Sequence, residues 1–187
     1  RIPDGPAAEG GAAGAEGEGE AEQAEYSRQQ ACYICKARFS ERHRFYSHLC
    51  PACAALNFAK RQQRCELQGR VCLVTGARVK IGFQTALKLL RMGARVIATT
   101  RFPQDARRRY EAEADAGDWL GRLEVRGADF RFLGAVETFC AELCAREAWL
   151  DVLVNNACQT VRRPAAYYRH LLEGEARAAA ALPAAAP

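Results

Sequence analysis

Two groups of residues in this sequence have types and spacing that could do chemistry. The first is four cysteines, arranged as Cys32-x2-Cys35 and, fourteen residues on, Cys50-x2-Cys53. Two such knuckles can place four thiolates around one tetrahedral Zn²⁺, and Pro51 suits the turn of the second. The segment between them, KARFSERHRFYSHL, offers Phe39, Phe45, Tyr46 and Leu49 as a minimal core. That core is too small to fold unaided, so the metal would supply most of the folding free energy. His43 and His48 are weaker ligand candidates, because four cysteines already complete a tetrahedron. The remaining five, Cys65, Cys72, Cys140, Cys144 and Cys158, read as small buried apolar residues. The pattern as a whole suits a reducing compartment better than a disulfide framework.

The second group is VCLVTGARVKIG, residues 71–82. Its first five residues read as a buried strand, and Thr75-Gly76 as the turn where a nucleotide's phosphates would meet a helix N-terminus. Lys80 stands between the two glycines. Backbone N–H groups at a helix start can serve an anion whatever side chain occupies that place, provided the φ/ψ there suits a non-glycine. The lysine ammonium then either lies outward or reaches the phosphates as an extra cation.

Both groups need elements to hold them, and the 187 residues divide accordingly. Residues 1–31 are a Gly/Ala/Glu tract with two Arg against seven acids, too polar to offset its ordering entropy and expected to be disordered. Residues 32–64 form the cysteine module and carry seven Lys and Arg against Glu41 alone. Its cations Lys36, Arg38, Arg42, Arg44, Lys60, Arg61 and Arg64, interleaved with aromatics, raise the question of nucleic acid. No recognition helix of the two-His, two-Cys finger type and no RNA-binding signature accompanies them, so nucleic acid is disfavoured as a partner. Residues 176–187 are an Ala/Pro-rich tail in which alanine favours helix and proline limits it. No apolar stretch is long enough to span a membrane and no signal peptide is visible, which gives a cytoplasmic location as the expectation. The first residue is Arg1 and not Met, so the natural N-terminus stays open.

Between these lies residues 65–175, where strand and helix patterns alternate. RVCLVT is followed by IGFQTALKLLRMG, whose Phe83, Ala86, Leu87, Leu90 and Ala94 recur at helical spacing. Then come ARVIATT, a polar helix over about Gln104 to Asp115, LEVRGAD, a helix over about Ala135 to Trp149, and LDVLVNN. Strands apolar on both faces with helices between them predict an α/β, doubly wound parallel sheet. Its ligand would sit at the strands' carboxyl ends, where both the glycine turn and the Asn155-Asn156 pair fall.

Residues 67–175 resemble the short-chain dehydrogenases/reductases. LQGRVCLVTGARVKIG is similar to that family's first strand and TGxxxGxG turn, with Thr75, Gly76 and Gly82 matching and Lys80 at the middle glycine. GAD, ending at Asp129, resembles the segment whose acid lies beside the adenine ring, and NNAC, Asn155 to Cys158, resembles NNAG. The resemblance implies a Rossmann-like dinucleotide site drawn from Thr75, Gly76, Arg78, Lys80, Ile81, Gly82, Thr100, Arg101, Asp129, Asn155, Asn156 and Ala157. An acid after the second strand would bond the ribose hydroxyls of NAD; here ATTRF offers Thr99, Thr100 and Arg101, and Arg78 adds a second cation. That favours NADP over NAD.

The family's chemistry also implies a tyrosine acid/base with a lysine four residues on, plus a serine and an assisting asparagine. The last serine is Ser47, the last lysine Lys88 and the last asparagine Asn156, while Tyr167 and Tyr168 have Leu171 and Leu172 at the fourth place. No catalytic residue is assigned. The sequence reads as a copy truncated after its fourth strand, preceded by the zinc module. Two function classes follow: the cofactor-binding half of an NADP(H)-dependent oxidoreductase, or a non-catalytic zinc-containing, nucleotide-binding or scaffold protein. The substrate is unreadable. The last strand would be left with an exposed edge, so homo-oligomers are expected.

Overall fold

The computed structural model describes residues 25–158 and 163–181, in two compact units, Arg1–Cys65 and Glu66–Pro187. The low-complexity expectation for residues 1–24 and the end of the Ala/Pro tail lie outside the described residues.

In the first unit, strands β1 (Glu25–Ala31) and β2 (Arg38–Glu41) pair antiparallel, with Gln30 opposite Phe39 and Ala31 opposite Arg38. This corrects the expectation that disorder runs to residue 31. EYSRQQA shows no apolar alternation because, of the pair Tyr26 and Phe39 that meet edge to face at 6.1 Å, only one lies on β1. Helix α1 (Pro51–Gln62), an element the sequence pattern had not placed, starts inside the second knuckle. Cys50 is its N-cap and Pro51 takes the first helical position, where a missing N–H loses nothing. The core gathers Cys32, Phe39, Leu49, Cys50 and Ala54, with Tyr26, Tyr46 and Cys53 packed against it. Phe45, expected inside, is 49% exposed.

The second unit is a four-stranded parallel sheet, β3 (Val71–Thr75), β4 (Arg95–Thr100), β5 (Leu123–Gly127) and β6 (Val152–Val154), in the order β5-β4-β3-β6. The order reverses at β3, which makes its carboxyl end the switch point. On one face α2 (Lys80–Arg91) buries Ala86, Leu87 and Leu90 on Cys72, Val74, Val96 and Ala98, together with Tyr110 of α3 (Pro103–Glu111) and Trp119 of α4 (Ala116–Trp119). On the other, α5 (Leu133–Arg146) covers Leu73 and Ile97 through Phe139 and Leu143. Helix α6 (Arg169–Ala181) packs on α3 and continues through the first alanines of the expected tail.

Three expectations change. The polar helix expected to reach Asp115 ends at Glu111, with the separate α4 starting at Ala116, and the next helix ends at Arg146, leaving Trp149 outside it. Of the five scattered cysteines only Cys72 is buried; Cys65, Cys140, Cys144 and Cys158 are exposed. For Cys140 and Cys144 the reason is that α5 touches the sheet along one narrow stripe, and both lie beside it. Strand β6 is short, and Leu153 is 54% exposed although the strand's Leu and Val run reads as apolar on both faces.

Candidate functional site

At the carboxyl ends of the second unit's strands lies an open cleft of about 530 Å³. Its floor is the turn between β3 and α2. Gly76 takes φ 67°, a left-handed conformation that glycine enters freely. A Cβ there would stand 2.9 Å from the Cα of Ala157, and one on Gly82 would stand 2.4 Å from the Gly76 carbonyl oxygen and 2.5 Å from Asn156 Nδ2. Both glycines therefore permit close approach of backbone to backbone. Lys80 is also left-handed, at φ 55°, with its side chain exposed.

The turn is tied to the end of β6. Asn156 Nδ2 donates to the carbonyls of Thr75 (3.0 Å) and Gly76 (3.1 Å), while the N–H groups of Asn156 and Ala157 both donate to Thr75 Oγ1 at 2.9 Å. Thr75 and Asn156 thus hold the glycine turn in shape. From beneath, the buried Tyr110 hydroxyl donates to the carbonyl of Ala77 at 2.6 Å, and burial raises its pKa. This support escaped the sequence reading, because a tyrosine 33 residues downstream on a polar helix carries no local signal.

One wall is the end of β4 and the start of α3. Thr99 and Thr100 are buried, and the Thr100 hydroxyl accepts the N–H of Phe102 at 3.1 Å. No acidic side chain stands at Thr100, Arg101 or Phe102. Arg101 lies over the rings of Phe102 (5.4 Å) and Tyr168 (4.9 Å). Arg78 is held by Asp105 at 2.7 Å, so its charge is partly spent inside the protein. Burial alone would raise the Asp105 carboxyl, but hydrogen bonds from Arg109 and Arg78 outweigh it and hold it below the usual range. The far wall carries Asp129, lowered by its hydrogen bonds to Arg131 at 2.9 and 3.0 Å.

Around the cleft the structure assembles Gly76, Arg78, Lys80, Ile81, Gly82, Thr100, Arg101, Asp129, Asn156 and Ala157, with Thr75 one step behind. Asn155 is exposed and does not line it. Thr99, which the sequence offered beside Thr100, lines it too, and Val79, Phe102, Ala128, Phe130, Arg131 and Cys158 line it without having been expected from the sequence.

In the first unit, the sulfurs of Cys32, Cys35, Cys50 and Cys53 lie within 4.8 Å of one another, with Cys35 and Cys50 at 3.6 Å. Tetrahedral thiolate coordination at about 2.3 Å sets sulfurs roughly 3.8 Å apart, so the cluster fits one zinc-sized ion. Lys36, just past the first knuckle, turns back at φ 64° and its N–H donates to the Cys32 carbonyl at 3.0 Å. Burial opposes ionisation of Cys32, yet backbone hydrogen bonds at Cys50, Cys35 and Ile34 lower its thiol to about 6. Hydrogen bonding with Cys50 and Cys35 pushes Cys53 up to about 12. Crowded sulfurs that cannot all ionise together are what a bound cation relieves. His43 is occupied elsewhere: its Nδ1 accepts the N–H groups of Phe45 (3.1 Å) and Tyr46 (3.0 Å).

Among curated proteins, the chain is 37% identical over 136 residues to an uncharacterized protein of Acanthamoeba polyphaga mimivirus, covering 70% of this chain and 29% of that protein. It is 39% identical over 103 residues to human retinol dehydrogenase 14, covering 49% of this chain and 31% of the relative. It thus spans about a third or less of the length of these relatives. Among solved structures, a metagenomic short-chain oxidoreductase in complex with NADP aligns at 34% identity and a TM-score of 0.45, covering 50% of this chain and 41% of that one. No helix among the described residues is long and apolar enough to cross a membrane. Residues 70–170, which hold the whole parallel sheet and the cleft, match the short chain dehydrogenase family, and the chain belongs to that family.

Proposed function

We propose that this chain is the cofactor-holding part of an NADP(H)-dependent short-chain oxidoreductase, carried with a structural zinc module. The observation that carries the reading is the cleft itself. Its Gly76–Gly82 turn offers backbone N–H groups at the start of α2 to a pyrophosphate. Its β4 end offers Thr100 and Arg101 to a ribose phosphate, where an NAD site would carry an acid. Asp129 would lie beside the adenine ring, as the resemblance of its GAD segment implies. The direct test is a fluorescence titration of NADPH and NADH. Arg101→Glu is expected to weaken NADPH binding far more than NADH binding, and equal losses would remove the NADP assignment.

The polypeptide is expected to bind the cofactor without turning over a carbonyl or alcohol. Carbonyl reduction builds negative charge on oxygen, and general acid catalysis there contributes typically 10²–10⁴-fold. The candidate donors face the wrong end. Tyr168 stacks on Phe102 at the adenosine side of the cleft, and Tyr167 lies edge-on to Tyr168. NADPH oxidation over a panel of quinones, aldehydes and ketones, lost in the Tyr167→Phe/Tyr168→Phe variant, would overturn this. The cysteine cluster would hold zinc through Cys32, Cys35, Cys50 and Cys53, and the metal would supply folding free energy, not reactivity.

A further inference from the structure

Two of the arginines that line the cleft are held in different ways. Arg78 is paired with the Asp105 carboxylate at 2.7 Å, which takes up an N–H donor and part of its charge. Arg101 is held by rings. Its guanidinium lies 5.4 Å from the centre of Phe102 and 4.9 Å from that of Tyr168, and the two rings stack at 5.9 Å with planes 21° apart. Phe102 also carries the Arg78 guanidinium at 5.5 Å, so a single ring sits against both cations. Each ring is fixed by its surroundings. Phe102 is buried, and its N–H donates to Thr100 Oγ1 at 3.1 Å. Tyr168 immediately precedes α6, which is anchored on α3 by Glu175, whose carboxylate accepts the N–H groups of Gln104 and Asp105 at 3.0 Å.

A carboxylate and an aromatic ring hold a guanidinium with different consequences. The carboxylate accepts its N–H hydrogen bonds and offsets its charge, whereas the ring attracts the cation through a negative π face and accepts none of its strong in-plane bonds. A guanidinium resting on rings is fixed in place yet keeps its charge and its fork of donors, which suit a phosphate. Fixing it beforehand also removes the side-chain ordering that binding would otherwise cost. We propose that Phe102 and Tyr168 are positioning residues for the phosphate on the adenosine ribose: they act through Arg101 and set how strongly the cleft prefers NADP(H) to NAD(H). The inference rests on the NADP(H) reading of the cleft. Tyr168 does not itself line the cleft, so its influence on the cofactor passes through the guanidinium that it touches. A nucleotide without the 2′-phosphate makes no use of that guanidinium, and loss of the ring should matter to it far less.

The test is titration calorimetry on the whole chain, with NADPH, NADH, 2′,5′-ADP and 5′-AMP as probes. Tyr168 is the position to change, because it is half-buried, whereas replacing the buried Phe102 would disturb the packing around it. Tyr168→Leu is expected to weaken NADPH and 2′,5′-ADP binding about fivefold, the scale of one cation–π contact, with NADH and 5′-AMP changing less than about twofold. Tyr168→Phe keeps the ring and should stay within about twofold of the wild type. In an Arg101→Leu background, Tyr168→Leu should cost nothing further, since its effect passes through that guanidinium. Equal losses for NADPH and NADH, an undiminished loss in the Arg101→Leu background, or a Tyr168→Phe protein as weak as Tyr168→Leu would each overturn the positioning role. If Arg101→Leu lowers NADPH affinity selectively while Tyr168→Leu changes nothing, the inference falls and the cofactor reading stands. If Arg101→Leu weakens NADPH and NADH alike, or the wild type binds neither NADPH nor 2′,5′-ADP, the cofactor reading falls and this inference with it.

Discussion

Lys80 holds a φ of 55° at the head of α2, where an L-residue costs about 1–2 kcal/mol relative to a right-handed one. Glycine escapes that cost but loses more chain entropy on folding, roughly 0.5–1 kcal/mol. Lys80→Gly is therefore expected to stabilise the second unit, by about 0.5–1 kcal/mol in urea unfolding. Gly82→Ala should do the reverse. Its Cβ would sit 2.4 Å from the Gly76 carbonyl oxygen and 2.5 Å from Asn156 Nδ2, forcing the turn open, lowering stability by about 1–3 kcal/mol and abolishing NADPH binding. A Gly82→Ala protein that melts and binds like the wild type would mean the turn is not the cradle described. The residue types at this turn were legible in the sequence, but the conformation of Lys80 was not, because it depends on where β6 pins Thr75 and Gly76. Arg78 makes the same point. Its type and place suggested a phosphate ligand, while its 2.7 Å pairing with Asp105 is a tertiary fact that no local pattern reveals.

Strands β3 and β4 and helix α2 were readable because burial leaves a regular mark on them. All but one residue of each of these strands is buried, and Ala86, Leu87 and Leu90 mark the inner face of α2. Elements at the margin leave fainter marks. Strand β1 buries little and is set by pairing with β2, while β6 is three residues long and, among the described residues, has a strand neighbour on one side only. The cysteine knuckles are the opposite case, since spacing alone brings Cys32, Cys35, Cys50 and Cys53 together and α1 then grows from the second knuckle. The core here is Phe39, Leu49 and Ala54 beyond the cysteines themselves, so folding of this unit should depend on metal. The purified chain is expected to carry about one zinc, and chelation should unfold residues 32–64 while largely sparing the parallel sheet. Elemental analysis of Cys50→Ser/Cys53→Ser checks the ligands, and full zinc retention would place the ion elsewhere. Selective loss of hydrogen-exchange protection in the first unit checks the folding claim.

At the largest scale, ion pairs between elements of the second unit fix its response to acid. The Arg91 hydrogen bonds hold Asp115 at about 2, against roughly 3.9 in an unfolded chain. The Val71 N–H and Arg70 lower Asp151, and Arg95 lowers Glu147. Between the folded and unfolded values the unfolded chain binds more protons, so this stability is present above about pH 4 and lost as pH falls toward 2. Urea midpoints should drop over that window, and Asp115→Asn should flatten the drop. The other whole-molecule property comes from the sheet's open side. Val152 and Val154 pack into the α2 cluster, so Leu153 points to the opposite face, where it is 54% exposed. Among the described residues no strand pairs with the outer side of β6, and an apolar edge strand is a template for another chain. A formal charge of +5 opposes association only weakly at physiological salt. The chain as given is therefore expected to form dimers or larger species at micromolar concentration. Light scattering at rising concentration tests this, and Leu153→Lys separates causes: a charge on the edge should restore monomers if β6 is the contact, and leave the distribution unchanged if association runs through another surface. A monodisperse wild-type monomer would mean that something in the chain covers β6.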